Sequence, residues 1–303
     1  MDISVVITAL NGRATLSATL DSIAEHLPDA EVIVANGPSA DGTSGLVCDH
    51  AAVDRLLELS DRNPNVARNA GLAVASGAAV AFIGQGTQIK ADWRSTVTAA
   101  LRSGADAVTG PIHRELGGDV TTETVEETTV GSREVRYFDP GNVIFTRETI
   151  EALDGFDERL QVGSARDTAH RMAGMDQTLS WEPKAAVLRA RPRPSGHVDP
   201  QTSIHAQGYR ARGYRMAKNY GPGWQTVNHL VREIVGDGLA ETGAVLAGST
   251  PPSVWAGKGR AAITQVLAGV KDGLIARVSD RSPKRNPHGL SARRDRPVST
   301  CEP

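Results

Sequence analysis

The chain has 303 residues, 40% hydrophobic and 22% charged, which suits one large or two modest globular domains. Two cysteines, Cys48 and Cys301, build neither a disulfide framework nor a zinc site, so a reducing cytoplasm is expected. The net charge of −2 conceals a split: residues 1–180 hold 26 Asp/Glu against 14 Lys/Arg (−12), and residues 181–303 hold 9 against 19 (+10), an acidic body with a basic end suited to an anionic partner.

The opening MDISVVITAL carries an acid and a short apolar run, so it reads as a first strand rather than a signal peptide. No stretch approaches the roughly 20 apolar residues needed to span a bilayer. Short apolar runs then alternate with helical periodicity. Strands are expected at Ile3–Ile7, Glu31–Ala35, Ala79–Ile83 and Ala105–Thr109, and helices near Ala14–His26, Thr43–Ala51, Asn65–Ser76 and Asp92–Ser103. That alternation implies right-handed crossovers and a mostly parallel sheet with helices on both faces. Ligands of such sheets bind beyond the carboxyl ends of the strands.

Residues 111–138, rich in Thr, Glu and Gly with little periodicity, break the pattern and read as an insertion or flap. A strand at Gly141–Thr146 and helices at Arg147–Leu153 and Ser164–Gly174 follow. Arg191-Pro-Arg-Pro-Ser-Gly196 reads as a linker. Beyond it, helices are expected near Ser203–Tyr220, Val227–Leu246 and Ala261–Val278, then a polar, disordered, arginine-rich end. The expected organisation is a first domain over 1–193 and a basic helical region over 194–303.

Five segments carry a specific resemblance. SVVITALNGRATLSATLDSI resembles the first strand, asparagine turn and helix of the family 2 glycosyltransferases, and VIVANGPSADGT their second strand and nucleoside-gripping loop. NVARNAGLAVASG with AVAFIGQGTQIKADW resembles the helix and strand leading to their metal-binding loop. GNVIFTRETIEALDGFDERL resembles their acceptor-side segment, and Gly163–Arg171 falls where they keep a general base. The resemblance implies an α/β GT-A (nucleotide-diphospho-sugar transferase) fold with a C-terminal helical extension. It also implies an inverting transfer from a nucleotide-sugar donor. Thr8, Asn11, Asn36, Asp41, Arg68, Gly84, Gln85 and Gly86 become the candidate donor-binding residues, and Gly141 and Asn142 the acceptor-side ones. Asp41 is read most simply as a turn or helix cap.

The acidic motifs depart from the family pattern. An aspartate is usual where Asn36 stands. The Asp-X-Asp whose carboxylates hold Mg²⁺ or Mn²⁺ is Gly84-Gln85-Gly86 here, and the usual Glu-Asp pair is Ser164-Ala165. The usual ligands being absent, no cofactor is certain and divalent Mg²⁺ or Mn²⁺ stays an open alternative, while phosphate contact can fall to Arg68, Lys90 or Arg94. The nearest carboxylate to the base position is Asp167, with His170 next. Together with Arg171 they share one helical face, which reads equally as catalytic or as a solvated stripe.

In the basic end, Arg210, Arg212, Arg215 and Lys218 crowd one segment, and apolar stripes run from Val254 to Ile275. Basic helices with an apolar face lie on anionic membranes, whereas no nucleic-acid motif accompanies the charge. Together with 27 Arg against 6 Lys, these features resemble haloarchaeal enzymes that assemble dolichol-phosphate-linked glycans for surface-layer glycoproteins. The expectation is a peripheral enzyme at the cytoplasmic membrane face acting on a lipid-linked glycan. The competing expectation is a degenerate relative that binds nucleotide or glycan without transfer.

Overall fold

The computed structural model describes residues 1–116, 119–122, 125–189, 201–233, 236, 252–293 and 299–301. Two compact units emerge. The first comprises 1–127, 136–195 and 288–303; the second comprises 128–135 and 196–287.

In the first unit, nearly continuous runs of buried Ile, Val and Ala make β1 (Ile3–Ala9), β2 (Glu31–Asn36) and β4 (Ala79–Gly84), the pattern of strands covered on both faces. With β3 (Arg55–Glu58), β6 (Ala107–Thr109), β11 (Asn142–Thr146), β12 (Leu179–Trp181) and β14 (Ser299–Cys301) they form an eight-stranded sheet of order β12-β6-β11-β4-β1-β2-β3-β14. Only β11 and β14 run antiparallel to their neighbours. The order turns back between β1 and β4, which opens a crevice at their carboxyl ends. Register places Thr8 beside Gly84 and Ala35, and Ala9 beside Asn36.

The helices of this unit are α1 (Arg13–His26), α2 (Thr43–Cys48), α3 (Pro64–Val74), α4 (Trp93–Arg102), α5 (Arg147–Ala152) and α6 (Ser164–Gly174). The start of α3 is set by Asn63, whose side chain accepts from Asn65 N, and by Pro64 in the first turn. Its buried asparagines then bind a loop: Asn69 donates to Phe156 O at 2.8 Å, and Asn65 to the carbonyls of Asp157 and Leu160. A second sheet of order β5-β13-β7-β8 joins β5 (Thr87–Ile89), β13 (Val187–Arg189), β7 (Ile112–Leu116) and β8 (Asp119–Thr122).

The 111–138 flap is therefore a set of strands, completed by the ribbon of β9 (Glu127–Val130) and β10 (Arg133–Arg136). Each ribbon strand buries a single residue, Val130 or Val135, so Thr, Glu and Arg dominate and no apolar run announces it. The polar end is likewise ordered where described. Asp154 accepts from Ser291 N at 2.7 Å and Oγ at 2.6 Å, and β14 pairs with β3. Composition suggested disorder because these residues hold their place by hydrogen bonds rather than an apolar core. The linker at Arg191–Gly196 lies outside the described residues.

The second unit is helical: α7 (Gln201–Tyr220), α8 (224–233) and α9 (Pro252–Ser279). The backbones of α7 and α9 approach so closely that a Cβ at Gly213 would overlap Val266 O, and one at Gly269 would overlap Arg210 O. Met216, Val266, Leu230 and Val130 form the core. The basic cluster of α7 is largely internal. Lys218 is buried over the Tyr214 ring, Arg215 is buried beside Glu233, and Arg210 bridges to Asp272 at 2.6 Å.

Burial disfavours the Glu233 charge, but His229, Arg215 and Arg212 outweigh it and hold the carboxyl at about 2, against an ordinary 4.5. Because the folded value is depressed, its stabilisation is complete above about pH 4.5 and is lost as pH falls toward 2. Glu233→Gln is expected to cost of the order of 1–2 kcal/mol at pH 7, with solvent screening allowed for, and to flatten that acid slope. Urea titrations at pH 3, 5 and 7 check both.

Candidate active site

At the carboxyl edge, the loops after β1 and β2 are stitched together. Asn11 N donates to Ser39 Oγ (2.8 Å), Ala40 N to Asn11 Oδ1 (3.0 Å), Gly12 N to Thr43 Oγ1 (2.9 Å) and Arg13 N to Asp41 Oδ2 (3.0 Å). Asn11 stands at φ 49°, a conformation that asparagine tolerates. Burial would raise the Asp41 carboxyl, but hydrogen bonds from Thr43 and Arg13 hold it below its ordinary value. Its bonds make Asp41 a loop clasp. Asn36, buried at the end of β2, donates to Ser44 Oγ at 3.2 Å and accepts from Ser39 Oγ at 2.7 Å. Thr8 is half-buried beside Gly84.

The Gly84-Gln85-Gly86 turn offers no carboxylate, and it packs closely against the segment before β11. Gly84 N donates to Gly141 O at 3.0 Å, and an ideal Cβ at Gly84 would lie 3.2 Å from Thr87 Oγ1, 3.4 Å from Gly141 Cα and 3.7 Å from Arg189 Nη2. Gln85 turns back and accepts from Leu10 N at 2.9 Å, while Gly86, at φ +76°, donates to Thr19 Oγ1. Among the described residues, no group of three His, Cys, Asp or Glu is placed to hold a metal ion. The residues at this turn do not fit the divalent cation of the family pattern, because hard cations need oxygen ligands and a guanidinium stands here instead.

Next to the turn lies a cleft of about 330 Å³ whose walls include Arg68, Asp139, Glu126, Tyr137, Trp181 and the first turn of α6. Asp139 binds Arg189 with two parallel bonds (2.8 and 3.1 Å) and accepts from Gly141 N at 2.7 Å. Burial works to raise the Asp139 carboxyl, but Arg189, the Gly141 N–H and Arg68 outweigh it and hold it below the usual aspartate value. Arg68 is buried over the Phe156 ring and donates to Asn65 Oδ1 at 2.7 Å. Burial pushes its guanidinium down to about 10, against the pull of Asp139, so it stays charged at neutral pH. At the mouth, Arg166 lies over Tyr137 and grips Glu126 at 2.7 Å.

Six sequence candidates take other roles. Asp167 is fully buried and paired with Arg171 at 3.0 Å; Arg171 also donates to Leu153 O, Gly155 O and Thr168 Oγ1. His170 is buried with its Nε2 3.1 Å from the Tyr137 hydroxyl. Asp167 and His170 are both fully buried, and at about 100° per residue they point roughly 160° and 140° away from Ala165, which lines the cleft. Neither side chain is among those lining the cleft. Asn142 is also interior: it accepts from Trp93 Nε1 and donates to Gly110 O and Ala185 O, which uses its amide fully. Arg94 is a surface bridge to Asp29, and Lys90 is exposed. Gly141 is the close-packing partner of Gly84.

Asp139, Arg189 and Glu126 were not among the sequence candidates. Asp139-Pro140-Gly141 carries a turn signature, but nothing local places Arg189, 50 residues away, against it. Asp167→Ala is expected to lower unfolding free energy by about 3 kcal/mol, because it strands a buried guanidinium that keeps only its neutral partners. Urea denaturation measures the loss, and a surface-like change below 0.5 kcal/mol would contradict the interior role.

The sequence matches the model of glycosyl transferase family 2 over residues 4–155. No match is found among curated protein sequences. Among solved structures, S. aureus TarS 1–349 in complex with UDP-GlcNAc is similar at a TM-score of 0.64, with 15% identity over 97% of this chain and 90% of that one. Its complex with UDP gives 0.61, with 15% identity over 93% and 91%. The Pyrobaculum calidifontis mannosyltransferase PcManGT, in complex with GDP-Man and Mn²⁺, gives 0.57, with 17% identity over 90% and 86%. These likenesses carry the fold, and the match over half the chain carries the family: the protein belongs to glycosyltransferase family 2.

Proposed function

We propose that the protein transfers a sugar from a nucleotide-sugar donor to a hydroxyl of a lipid-linked glycan at the cytoplasmic face of a membrane. The observation that carries the transfer reading is the cleft beside the carboxyl end of β6 and the turn into β11, walled by Arg68 and Asp139, in a chain of family 2. Similar folds were solved with UDP-GlcNAc and GDP-Man, so uridine and guanosine diphosphate sugars are the donors to try first. Of the carboxylates on the cleft wall, Asp139 is engaged by Arg189, which leaves Glu126 to take the acceptor's proton.

The membrane part rests on α9. Ile263, Leu267, Ile275 and Val278 are all more than half exposed, with exposed Lys271 among them. Trp224, 78% exposed, adds an aromatic of the kind found at membrane interfaces. Among the described residues no helix is long and apolar enough to cross a membrane. A basic, apolar stripe fits surface docking, at about 1 kcal/mol per basic residue near anionic lipid. A dolichol-phosphate-linked glycan of protein N-glycosylation or surface-layer assembly is the acceptor this placement suits.

A second reading is favoured by the absence of carboxylates at Gly84–Gly86 and Ser164-Ala165: a relative that binds nucleotide or glycan and supports an active partner. Incubation of the purified chain with a panel of nucleotide sugars and a lipid-linked oligosaccharide separates the two. Transfer gives an acceptor heavier by one sugar; donor binding with no product supports the second reading. For docking, Leu267→Asp with Ile275→Asp is expected to cut flotation with anionic vesicles at least tenfold. Truncation near residue 194 is a poorer test, because 288–293 and β14 pack within the first unit. Flotation unchanged in the double variant would sink the membrane reading.

A further inference from the structure

We infer that Arg189, locked in place by Asp139 and joined by Arg68, supplies at the donor diphosphate the positive charge that a divalent cation supplies in the family pattern. The inference rests on the donor reading above and concerns how that donor is held.

Position carries it first. The Cβ that an aspartate at position 84 would require lies 3.7 Å from Arg189 Nη2, and one at Gly141 would lie 2.8 Å from the same nitrogen. A cation thus stands beside the motif position that ordinarily bears a metal-binding carboxylate. The missing side chain at 141 makes room for it, since a Cβ there would crowd the guanidinium, whereas one at 84 would lie at ordinary contact distance. Arg189 also donates through Nε to Thr87 Oγ1 at 3.3 Å, so three contacts, two of them to Asp139, fix its plane.

Charge carries it next. Two family carboxylates with a divalent cation sum to zero, whereas Arg68 and Arg189 with Asp139 sum to +1. The substitution therefore leaves the pocket at least as attractive to a diphosphate. Arginine suits this work because its planar donors match phosphate oxygens and it keeps its charge through the neutral range. The pair is also preorganised: a guanidinium already held by a carboxylate needs little reorientation as charge develops.

During transfer, the bond between the anomeric carbon and the phosphate oxygen breaks, and its electron pair stays on that oxygen. The acceptor oxygen bonds to the carbon, and its proton passes to a carboxylate on the cleft wall. The negative charge gathering on the diphosphate is what Arg189 and Arg68 stabilise.

The test is calorimetry of UDP, GDP, uridine and guanosine with the full chain, in EDTA and in Mn²⁺. One diphosphate is expected to bind with affinities in the two buffers within twofold of each other. Asp139→Ala with Arg189→Ala removes both members of the pair and leaves Arg68 in place without the pull of Asp139. It is expected to weaken diphosphate binding roughly tenfold or more while the bare nucleoside binds as before. Arg68→Gln should act in the same direction, and the nucleoside arm and a thermal melt control for loss of fold. A chain that binds neither diphosphate overturns the donor reading and this inference with it. A chain that binds one, but loses tenfold on chelation or keeps its affinity in both variants, overturns this inference alone.

Discussion

The paired contact of Arg189 with Asp139 sits where the two sheets of the first unit meet the cleft. Arg189 ends β13 in the small sheet; Asp139 lies in the turn that leads into β11 of the large one. The pair is about a quarter exposed, so it is neither a screened surface bridge nor a fully desolvated one. Its geometry depends on two glycines. Gly84 and Gly141 bring the ends of β4 and β11 into contact through a backbone hydrogen bond, and a side chain at Gly141 would press on the guanidinium and on Gly84.

The same reasoning separates the charged groups of α6. Asp167 and Arg171 look catalytic by position in the sequence, yet they neutralise each other inside the protein and tie α6 to the carbonyls of Leu153 and Gly155. Replacing such a buried pair by apolar residues can be neutral, whereas removing one member costs several kcal/mol. What the cleft receives from α6 is its first turn, Gly163 to Arg166, with small side chains where the family keeps acids. The pocket is therefore lined by arginines and by carboxylates already engaged to them.

Legibility in the sequence followed burial. β1, β2 and β4 are buried on both faces and read as apolar runs, so their positions were plain, as were the major helices with their apolar periodicity. β3, β5, β12 and β13 hold three or four residues each, too few for any period to register. The β9–β10 ribbon buries one side chain per strand. For the site, the donor-side loops were found because Asn11, Asn36 and Asp41 lie in motifs with local turn chemistry. Their bonds prove to be largely to one another across 28 or 29 residues, which no local pattern reports. Arg189 and Asp139 were invisible for the same reason: their meaning lies in a contact between distant segments.

Long-range pairing also bears on how a nucleotide could be gripped without metal. The loops after β1 and β2 are cross-linked by Asn11, Ser39, Asp41 and Thr43, and Gln85 bonds the first of them to the turn after β4. Three strand ends at the crevice are thereby held in one arrangement before any ligand arrives. A metal-bound donor gains order from the ion, which draws protein oxygens and phosphate oxygens together. Here the corresponding order is built into hydrogen bonds of the protein itself, so the entropy of arranging the loops is spent in folding rather than in binding. Such a site tolerates the loss of its metal ligands provided that cations remain in fixed positions. Arg68, buried on α3, and Arg189, clamped at the end of β13, meet that condition.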